Sequence, residues 1–445
     1  MNEPNSANKL IRTVGFWGLV AMCINAVVGS GVFLLPYESY TLLGAFSLWA
    51  PLLFAIPVFI LVLNFAEAAK HFEQPGGAYL YAKTALGDFV GFETGWMNWI
   101  ARVTSLASLS NGMVLALALL QPSLGEGAAR HAIITAIIVI LCAIHFLGVR
   151  YGAASIYIFT LGKLVPLIGF ILVALIAWKS NPLPASFTLP GPATNWGEIA
   201  LFMLFAYAGF ENLGVPAGEY KNPRRDLPLA LLVGILAIAA IYVLVQLGAM
   251  SALPDLSQSK TPIASAAAEL VGPIGAIVIT IGSLLSMAGT NSGTMLEGSR
   301  MLYALSLDRR MGPISYVHPR FRTPTVALVI HAGVALALAL AGSFAQLALL
   351  SAIARLATYL FTCISVPILR KRKEGSLRPQ YLIVPILGIL FSLSLVSILN
   401  QARLIAGAIA LTVGAIIYFL SRPTHAGTSS GTPAADHPHP PAARP

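Results

Sequence analysis

Charged residues are scarce in this chain of 445 residues. Asp, Glu, Lys and Arg make up 10% of it, whereas apolar residues make up 57%. Soluble proteins carry roughly a quarter charged residues, because a surface in contact with water needs them. The composition therefore excludes a soluble globular protein. It predicts an all-α integral membrane protein whose apolar runs of about 20 residues cross a lipid bilayer.

Cysteine and histidine are also few, which argues against several kinds of site. The three cysteines lie in separate apolar runs and indicate small buried residues, not disulfides or metal ligands. The eight histidines are scattered, and no nucleophile lies at catalytic spacing from a base, which disfavours a membrane enzyme. We therefore expect no catalytic residues, no cofactor and no metal. We interpret the last histidines as part of a solvated, proline-rich tail and not as ligands of a metal: His425, His437 and His439.

Twelve apolar runs predict about twelve transmembrane helices, which we number as spans 1 to 12. Spans 3 and 8 are long enough to tilt or to extend beyond the bilayer. The runs cover residues 14–36, 44–66, 89–120, 132–149, 155–178, 197–217, 229–250, 273–304, 325–342, 345–369, 381–399 and 402–420.

The distribution of the 27 lysine and arginine residues predicts the orientation. If both termini are cytoplasmic, the outer loops hold few cations, namely Arg130, Lys179, Lys260 and Arg403. Nearly all others lie in the inner loops, as expected for a cell inner membrane protein. No basic surface interleaved with aromatic residues suggests a nucleic-acid partner. The cations within spans are Arg102, Lys163 and Arg355.

Glycine and proline interrupt spans 1 and 6, which are the first spans of two blocks of five. Gly29-Ser30-Gly31 lies in the middle of span 1, with Pro36 near its end. Span 6 carries a similar group, formed by Gly209, Gly214, Pro216 and Gly218. Paired interruptions in two halves are typical of secondary transporters built from inverted repeats. The alternative is that these glycines only permit close packing of helices.

An interrupted helix exposes N–H groups where its second half begins and carbonyl groups where its first half ends. The N–H groups suit a carboxylate, and the carbonyl groups suit an ammonium group. Two such breaks side by side therefore favour a small zwitterion, of which an α-amino acid is the simplest.

Four stretches of the chain resemble the amino acid–polyamine–organocation (APC) superfamily, including its arginine/agmatine antiporter and proton-coupled branches. The resemblance implies the leucine-transporter-type fold, a 5+5 inverted repeat plus two peripheral helices. The stretches are Gly29–Pro36, Glu67 with Pro75–Tyr79, Gly209–Glu211 with Glu219–Pro223, and Ser299–Ala304. The implied organisation is a cytoplasmic tail at 1–13, a first repeat at 14–178, a second repeat at 197–369, helices 11 and 12 at 381–420, and a disordered tail at 421–445.

The resemblance also implies a substrate site. Backbone N–H groups of Ser30 and Gly31 would bind the carboxylate, so that a branched residue at Gly31 should block binding with little effect on folding. Phe205 would cover the substrate, and Glu211 would serve gating and protonation. Carbonyl groups would receive the amino group, those of Val27, Phe205 and Ala208.

Two departures from the antiporter branch concern the substrate side chain. Arg102 lies where that branch holds a guanidinium with small and amide groups, and Met295 lies near the place of a stacking tryptophan. Arg102 disfavours cationic substrates if it faces the cavity. We also expect Glu297 to pair with Arg355, because an isolated charge is unfavourable within a membrane.

Lys163 resembles a span-5 lysine that, in sodium-independent branches, stands where related carriers hold sodium. It would connect carbonyl groups of span 1 to hydroxyl groups of span 8, for which the candidates are Ser286, Thr290 and Ser292. Its protonation could alternate during transport.

Together these features predict a secondary active transporter of amino acids that works by alternating access, either coupled to protons or by exchange. The expected partners are the amino acid, the lipid bilayer and protons, with a homodimer as an option. A polyamine or cationic amino acid antiporter and a sensor that binds amino acids without transporting them stay open as alternatives.

Overall fold

The computed structural model describes residues 14–72, 76–147, 152–177, 190–191, 194–214, 220–309, 311–375 and 378–421. The predicted tail at 1–13, almost all of that at 421–445, and its three histidines lie outside these residues. The helices are α1 (Phe16–Val27), α2 (Gly31–Leu43), α3 (Ala50–Ala69), α4 (Gly77–Leu86), α5 (Asp88–Leu120), α6 (Gly127–Phe146), α7 (Gly152–Ala177), α8 (Trp196–Tyr207), α9 (Pro223–Ala252), α10 (Pro262–Val271), α11 (Pro273–Arg309), α12 (Thr325–Ala341), α13 (Phe344–Glu374), α14 (Ile383–Ser397) and α15 (Gln401–Leu420).

The helices confirm the predicted all-α membrane class. Within the described residues, nine helices are long and apolar enough to cross a bilayer, and shorter apolar helices accompany them. The longest, α11, has 37 residues. At 1.5 Å per residue it is roughly 55 Å long, well beyond a hydrocarbon core of about 30 Å. At 33 residues α5 is also longer than this core is thick, so spans 3 and 8 are both long enough to tilt or to extend beyond it, as their sequences predicted.

Both predicted interruptions are present as breaks between helices. Span 1 consists of α1 and α2, separated by three residues that begin at Val28. Span 6 begins with α8, which ends at Tyr207. The span continues as a 3-10 turn at Phe210–Asn212. Between these parts Gly209 has a φ angle of 130°, and a Cβ atom there would lie 2.4 Å from the carbonyl oxygen of Ala26. Only glycine fits this position, because both its backbone conformation and its contact with span 1 exclude a side chain.

Two helices occur where the sequence predicted no span, α4 and α10. Each has ten residues, which is too short to cross a bilayer. They extend the bundle at its two ends: α4 contacts α5 and α13, and α10 contacts α9 and α11. The division of the spans into two repeats stays a prediction.

The centre of the bundle is formed by α5 and α13. In their most apolar segments 67% and 72% of the residues are buried, against 6% for α15. Spans 3 and 10 are therefore surrounded by protein, whereas span 12 faces the lipid. This arrangement brings the polar side chains of the central helices next to both broken spans.

Candidate functional site

A small cavity lies between the two broken spans and the central helices. Its volume is about 30 Å³, which is enough to hold water. Residues of spans 1, 3, 6, 8 and 10 form its wall. The lining residues are Ala26, Val27, Gly29, Ser30, Gly31, Arg102, Ser105, Leu109, Phe205, Ala208, Gly209, Thr290, Thr294 and Arg355.

The break in span 1 presents a helix N-terminus to this cavity. At the start of α2 the N–H groups of Phe33 and Leu34 donate to the carbonyl of Ser30, whereas those of Ser30 and Gly31 precede the first helical hydrogen bond and have no carbonyl partner among the described residues. The Ser30 hydroxyl is buried and, among the described residues, has no hydrogen-bond partner. Unpaired N–H groups and the helix dipole favour an anion, so a carboxylate fits this end of the cavity.

Gly31 has a second role that the sequence did not indicate. A Cβ atom at this position would lie 2.9 Å from the Cα atom of Ala206, so α2 and α8 are in close contact here. A branched residue at Gly31 would push the two broken spans apart. Its effect would therefore extend to folding, contrary to the expectation from the sequence. Gly29 has more room, because its nearest neighbour, the hydroxyl of Thr290, would be 3.4 Å away.

Tyr242, on span 7, satisfies carbonyl groups of both breaks. Its hydroxyl donates to the carbonyl of Ala206 at 2.7 Å and lies 3.5 Å from that of Val27. The carbonyl of Phe205 accepts a hydrogen bond from the N–H group of Ala208 at 3.2 Å. Two of the three carbonyl groups expected to bind an amino group thus already have a neighbouring donor. A single tyrosine in an apolar run gives no sequence signal for this role.

Phe205 covers one side of the cavity. Its side chain is 8% exposed, and its ring meets that of Phe344 edge to face, with a centroid distance of 6.2 Å. The aromatic ring therefore lies at the cavity, at the position expected for a residue that covers the substrate.

Four charged side chains form a network beside the cavity, of which Arg102, Glu211 and Arg355 are buried and Glu297 is partly exposed. Glu211 accepts from Arg102 at 3.0 Å and from Arg355 at 2.9 Å, and Arg102 also contacts Glu297 at 3.1 Å. The backbone N–H group of Gly209 donates to Glu211 at 2.8 Å. The predicted pairing of Glu297 with Arg355 is wrong. Glu211, at the break in span 6, lies between the two arginines and takes Arg355 as its partner.

The network presents its positive side to the cavity. Within the described residues, Arg102 and Arg355 line the cavity, whereas Glu211 and Glu297 do not. The guanidinium group of Arg355 is also held by Ser105 at 3.0 Å and by Ser351. A ligand in the cavity therefore meets arginine side chains before it meets the carboxylates.

Lys163 lies behind span 1. Its ammonium group donates to the carbonyl groups of Asn25 at 2.9 Å and Val28 at 2.6 Å. The hydroxyl of Ser286 donates to Val28 at 3.0 Å, which connects span 8 to the same break. Of the other two hydroxyl candidates, Thr290 donates within span 8 at 3.1 Å. The last candidate, Ser292, lies 3.0 Å from His145.

Met295 is the predicted site residue that the structure does not bring to the cavity. Its side chain is completely buried in an apolar cluster with Trp99 and Leu302. Thr290 and Thr294 supply the wall of the cavity from span 8. Because an α-helix has 3.6 residues per turn, the side chain of Met295 points about 100° away from that of its neighbour Thr294.

Residues 14–421 match the family described as amino acid permease. The chain belongs to the amino acid permease family. It is therefore a multi-pass membrane protein and an amino acid transporter.

Two curated relatives extend over almost the whole permease. It is 31% identical over 399 residues to the serine/threonine exchanger SteT of Bacillus subtilis, covering 86% of this chain and 90% of the relative. It is 27% identical over 428 residues to an uncharacterized transporter of Mycobacterium tuberculosis, covering 93% and 92%.

We predict that Glu211→Gln destabilises the permease more than Glu297→Gln does. The Glu211 side chain is fully buried between two arginines, and removing one partner of such a pair destabilises by about 3–5 kcal/mol. The Glu297 side chain is 30% exposed and contacts Arg102. In Glu297→Gln, Arg102 would still have Glu211 as its partner. Thermal unfolding of the purified variants in detergent measures the difference. An equal or larger loss for Glu297→Gln would contradict the assigned network.

Proposed function

We propose that this permease carries neutral amino acids across the inner membrane by alternating access, either by exchange or with protons. The observation that carries the proposal is the juxtaposition of the two broken spans across one cavity. The carboxylate of the substrate would bind the N–H groups of Ser30 and Gly31. The amino group would bind carbonyl groups at the opposite break, with that of Ala208 as the strongest candidate.

The wall of the cavity supports a neutral substrate side chain. Arg102 and Arg355 face the cavity, so a lysine, arginine or polyamine would place like charges together in a medium where repulsion is strong. The hydroxyl groups of Ser105, Thr290 and Thr294 can hydrogen-bond to a short polar side chain. The relationship to an exchanger named for serine and threonine supports the same substrate class.

Contacts at one end of the bundle support a conformation that is closed on the proposed cytoplasmic side. Tyr79 and Lys83 of α4 both donate to Asp308 at the end of span 8. Burial and the hydrogen bond to Asp308 raise the pKa of Tyr79, so it stays a phenol that donates this bond. Arg370 of span 10 contacts Glu67 of span 2 at 3.1 Å. Opening toward the cytoplasm would require these contacts to separate.

The position of Lys163 supports a cycle without sodium. An ammonium group already contacts the carbonyl groups at the break in span 1, where a cation would otherwise be needed. Loss of its proton would leave an uncharged amine whose hydrogen bonds to these carbonyl groups are weaker, and so would weaken the link between spans 5 and 1. Such a change could couple proton movement to the motion of span 1.

A transporter and a sensor are distinguished by flux. Purified permease in proteoliposomes is expected to accumulate radiolabelled serine, alanine or leucine, with or without a second amino acid inside the vesicles. Binding of these amino acids without uptake, under both a proton gradient and exchange conditions, would favour the sensor.

Neutral amino acids should compete for uptake better than cationic ones. We expect alanine, serine, leucine or phenylalanine to inhibit uptake at lower concentrations than arginine, lysine or agmatine, because Arg102 and Arg355 line the cavity. Inhibition constants for each compound measure the order. Met295→Leu is the matched control, since this side chain lies away from the cavity and its replacement should leave the order unchanged. Stronger inhibition by arginine or agmatine would refute the proposed substrate class.

Uptake should not depend on sodium, and Lys163→Ala should abolish it. The substitution removes the donor from the carbonyl of Asn25 and leaves that of Val28 with Ser286 alone. In hydrocarbon-like surroundings a carbonyl group that loses its donor is unfavourable. Uptake is measured with sodium replaced by choline and across a range of pH values. Lys260→Ala, at an exposed position, is the control and should transport normally. Sodium-stimulated uptake, or normal pH-dependent uptake by Lys163→Ala, would each refute its half of this prediction.

A further inference from the structure

A second, larger cavity lies on the lipid-facing surface between spans 4 and 9. We call it the span 4/9 groove. Its volume is about 500 Å³, and its lining is apolar throughout: Ile138, Val139, Cys142, Ala143, Phe146, Leu147, Val329, Ala332, Gly333 and Leu336. Several of these side chains are exposed, such as Leu147 at 66% and Val329 at 55%. No part of the proposed transport mechanism uses the groove.

The length of the groove matches one leaflet of a bilayer. From Ile138 to Leu147 the lining covers nine helical steps, which corresponds to roughly 14 Å along the helix axis. Half of a hydrocarbon core is about 15 Å thick. The groove therefore has the depth that a single acyl chain spans from the interface to the middle of the bilayer.

The groove ends at a basic turn that is joined to span 4. Thr323 donates to the carbonyl of Phe146 at 3.1 Å, and the rings of His318 and Phe321 pack on that of Phe146 at 5.7 and 5.6 Å. These contacts hold the turn of residues 318–323 against the last turn of α6. The turn exposes two cations at the membrane surface, Arg320 and Arg322.

We propose that the span 4/9 groove binds an acyl chain of an anionic phospholipid, whose phosphate is contacted by Arg320 and Arg322. A concave apolar surface within a membrane gains dispersion contacts when a chain fills it. The arginines give this end of the groove the charge that complements an anionic headgroup. By the predicted orientation of the spans, the lipid belongs to the cytoplasmic leaflet.

Gly333 offers a way to fill the groove without disturbing the fold. It is exposed on span 9, and a Cβ atom there would meet nothing within 4 Å. Gly169, on span 5, is equally exposed and open, but lies on another lipid-facing surface. Gly333→Leu should therefore occupy the groove, while Gly169→Leu serves as the matched control.

The test is native mass spectrometry of the purified permease, titrated with phosphatidylglycerol or phosphatidylcholine that carry identical acyl chains. Wild type and Gly169→Leu are expected to bind one phosphatidylglycerol more tightly than phosphatidylcholine. Gly333→Leu should lose this binding. Arg320→Gln combined with Arg322→Gln should weaken phosphatidylglycerol binding by about five-fold for each arginine. Phosphatidylcholine binding should weaken less, because the choline group offsets the negative charge of its phosphate. The charge control is Lys371→Gln combined with Arg378→Gln, at exposed positions away from the groove.

Three results would overturn the proposal. The first is equal affinity of the wild type for the two lipids, and the second is equal lipid binding by Gly333→Leu and Gly169→Leu. The third is a shift from dimer to monomer in Gly333→Leu with lipid binding unchanged, which would assign the groove to a contact between protein chains. None of these measurements depends on transport, so the outcome is independent of the proposed function.

Discussion

The structure depends on how unpaired backbone groups are satisfied inside a bilayer. Two spans are interrupted in the middle of the protein, and each interruption leaves carbonyl and N–H groups without helical partners. Lys163 and Ser286 serve the carbonyl groups of span 1, and Tyr242 lies between those of both breaks. The N–H groups at Gly31 are left at the cavity. The need to pair backbone groups inside the bilayer thus shapes the fold, and it also leaves N–H groups that a ligand can pair.

The charged network follows from the same low polarity of the surroundings. Each arginine near the cavity needs a carboxylate partner. The break in span 6 places Glu211 where it contacts both Arg102 and Arg355. The N–H group of Gly209 also points at this carboxylate, so the break positions both the network and the cavity. Changes in the network and changes in substrate binding are therefore not independent.

The fold and the two helix breaks could be predicted from the sequence because their signals are local. Apolar runs define spans, and the glycines at positions 29, 31 and 209 mark breaks that the structure contains. The pairing of side chains between distant spans has no such signal. Glu297 was paired with the wrong arginine because its partner depends on the rotation of spans 3, 8 and 10 about their axes. Tyr242 was missed and Met295 misplaced for the same reason, since one position along a helix changes the direction of a side chain by about 100°.

The balance of the network has a consequence for the electrical behaviour of the permease. Moving one elementary charge through a potential of 100 mV changes the free energy by about 2.3 kcal/mol. Arg102, Arg355, Glu211 and Glu297, as two positive and two negative ions, carry no net charge together. A rearrangement that moves them as a unit does no work against the membrane voltage, and a zwitterion between them adds none. Any effect of the voltage on a rearrangement of the protein then comes from charges outside the network, such as that of Lys163.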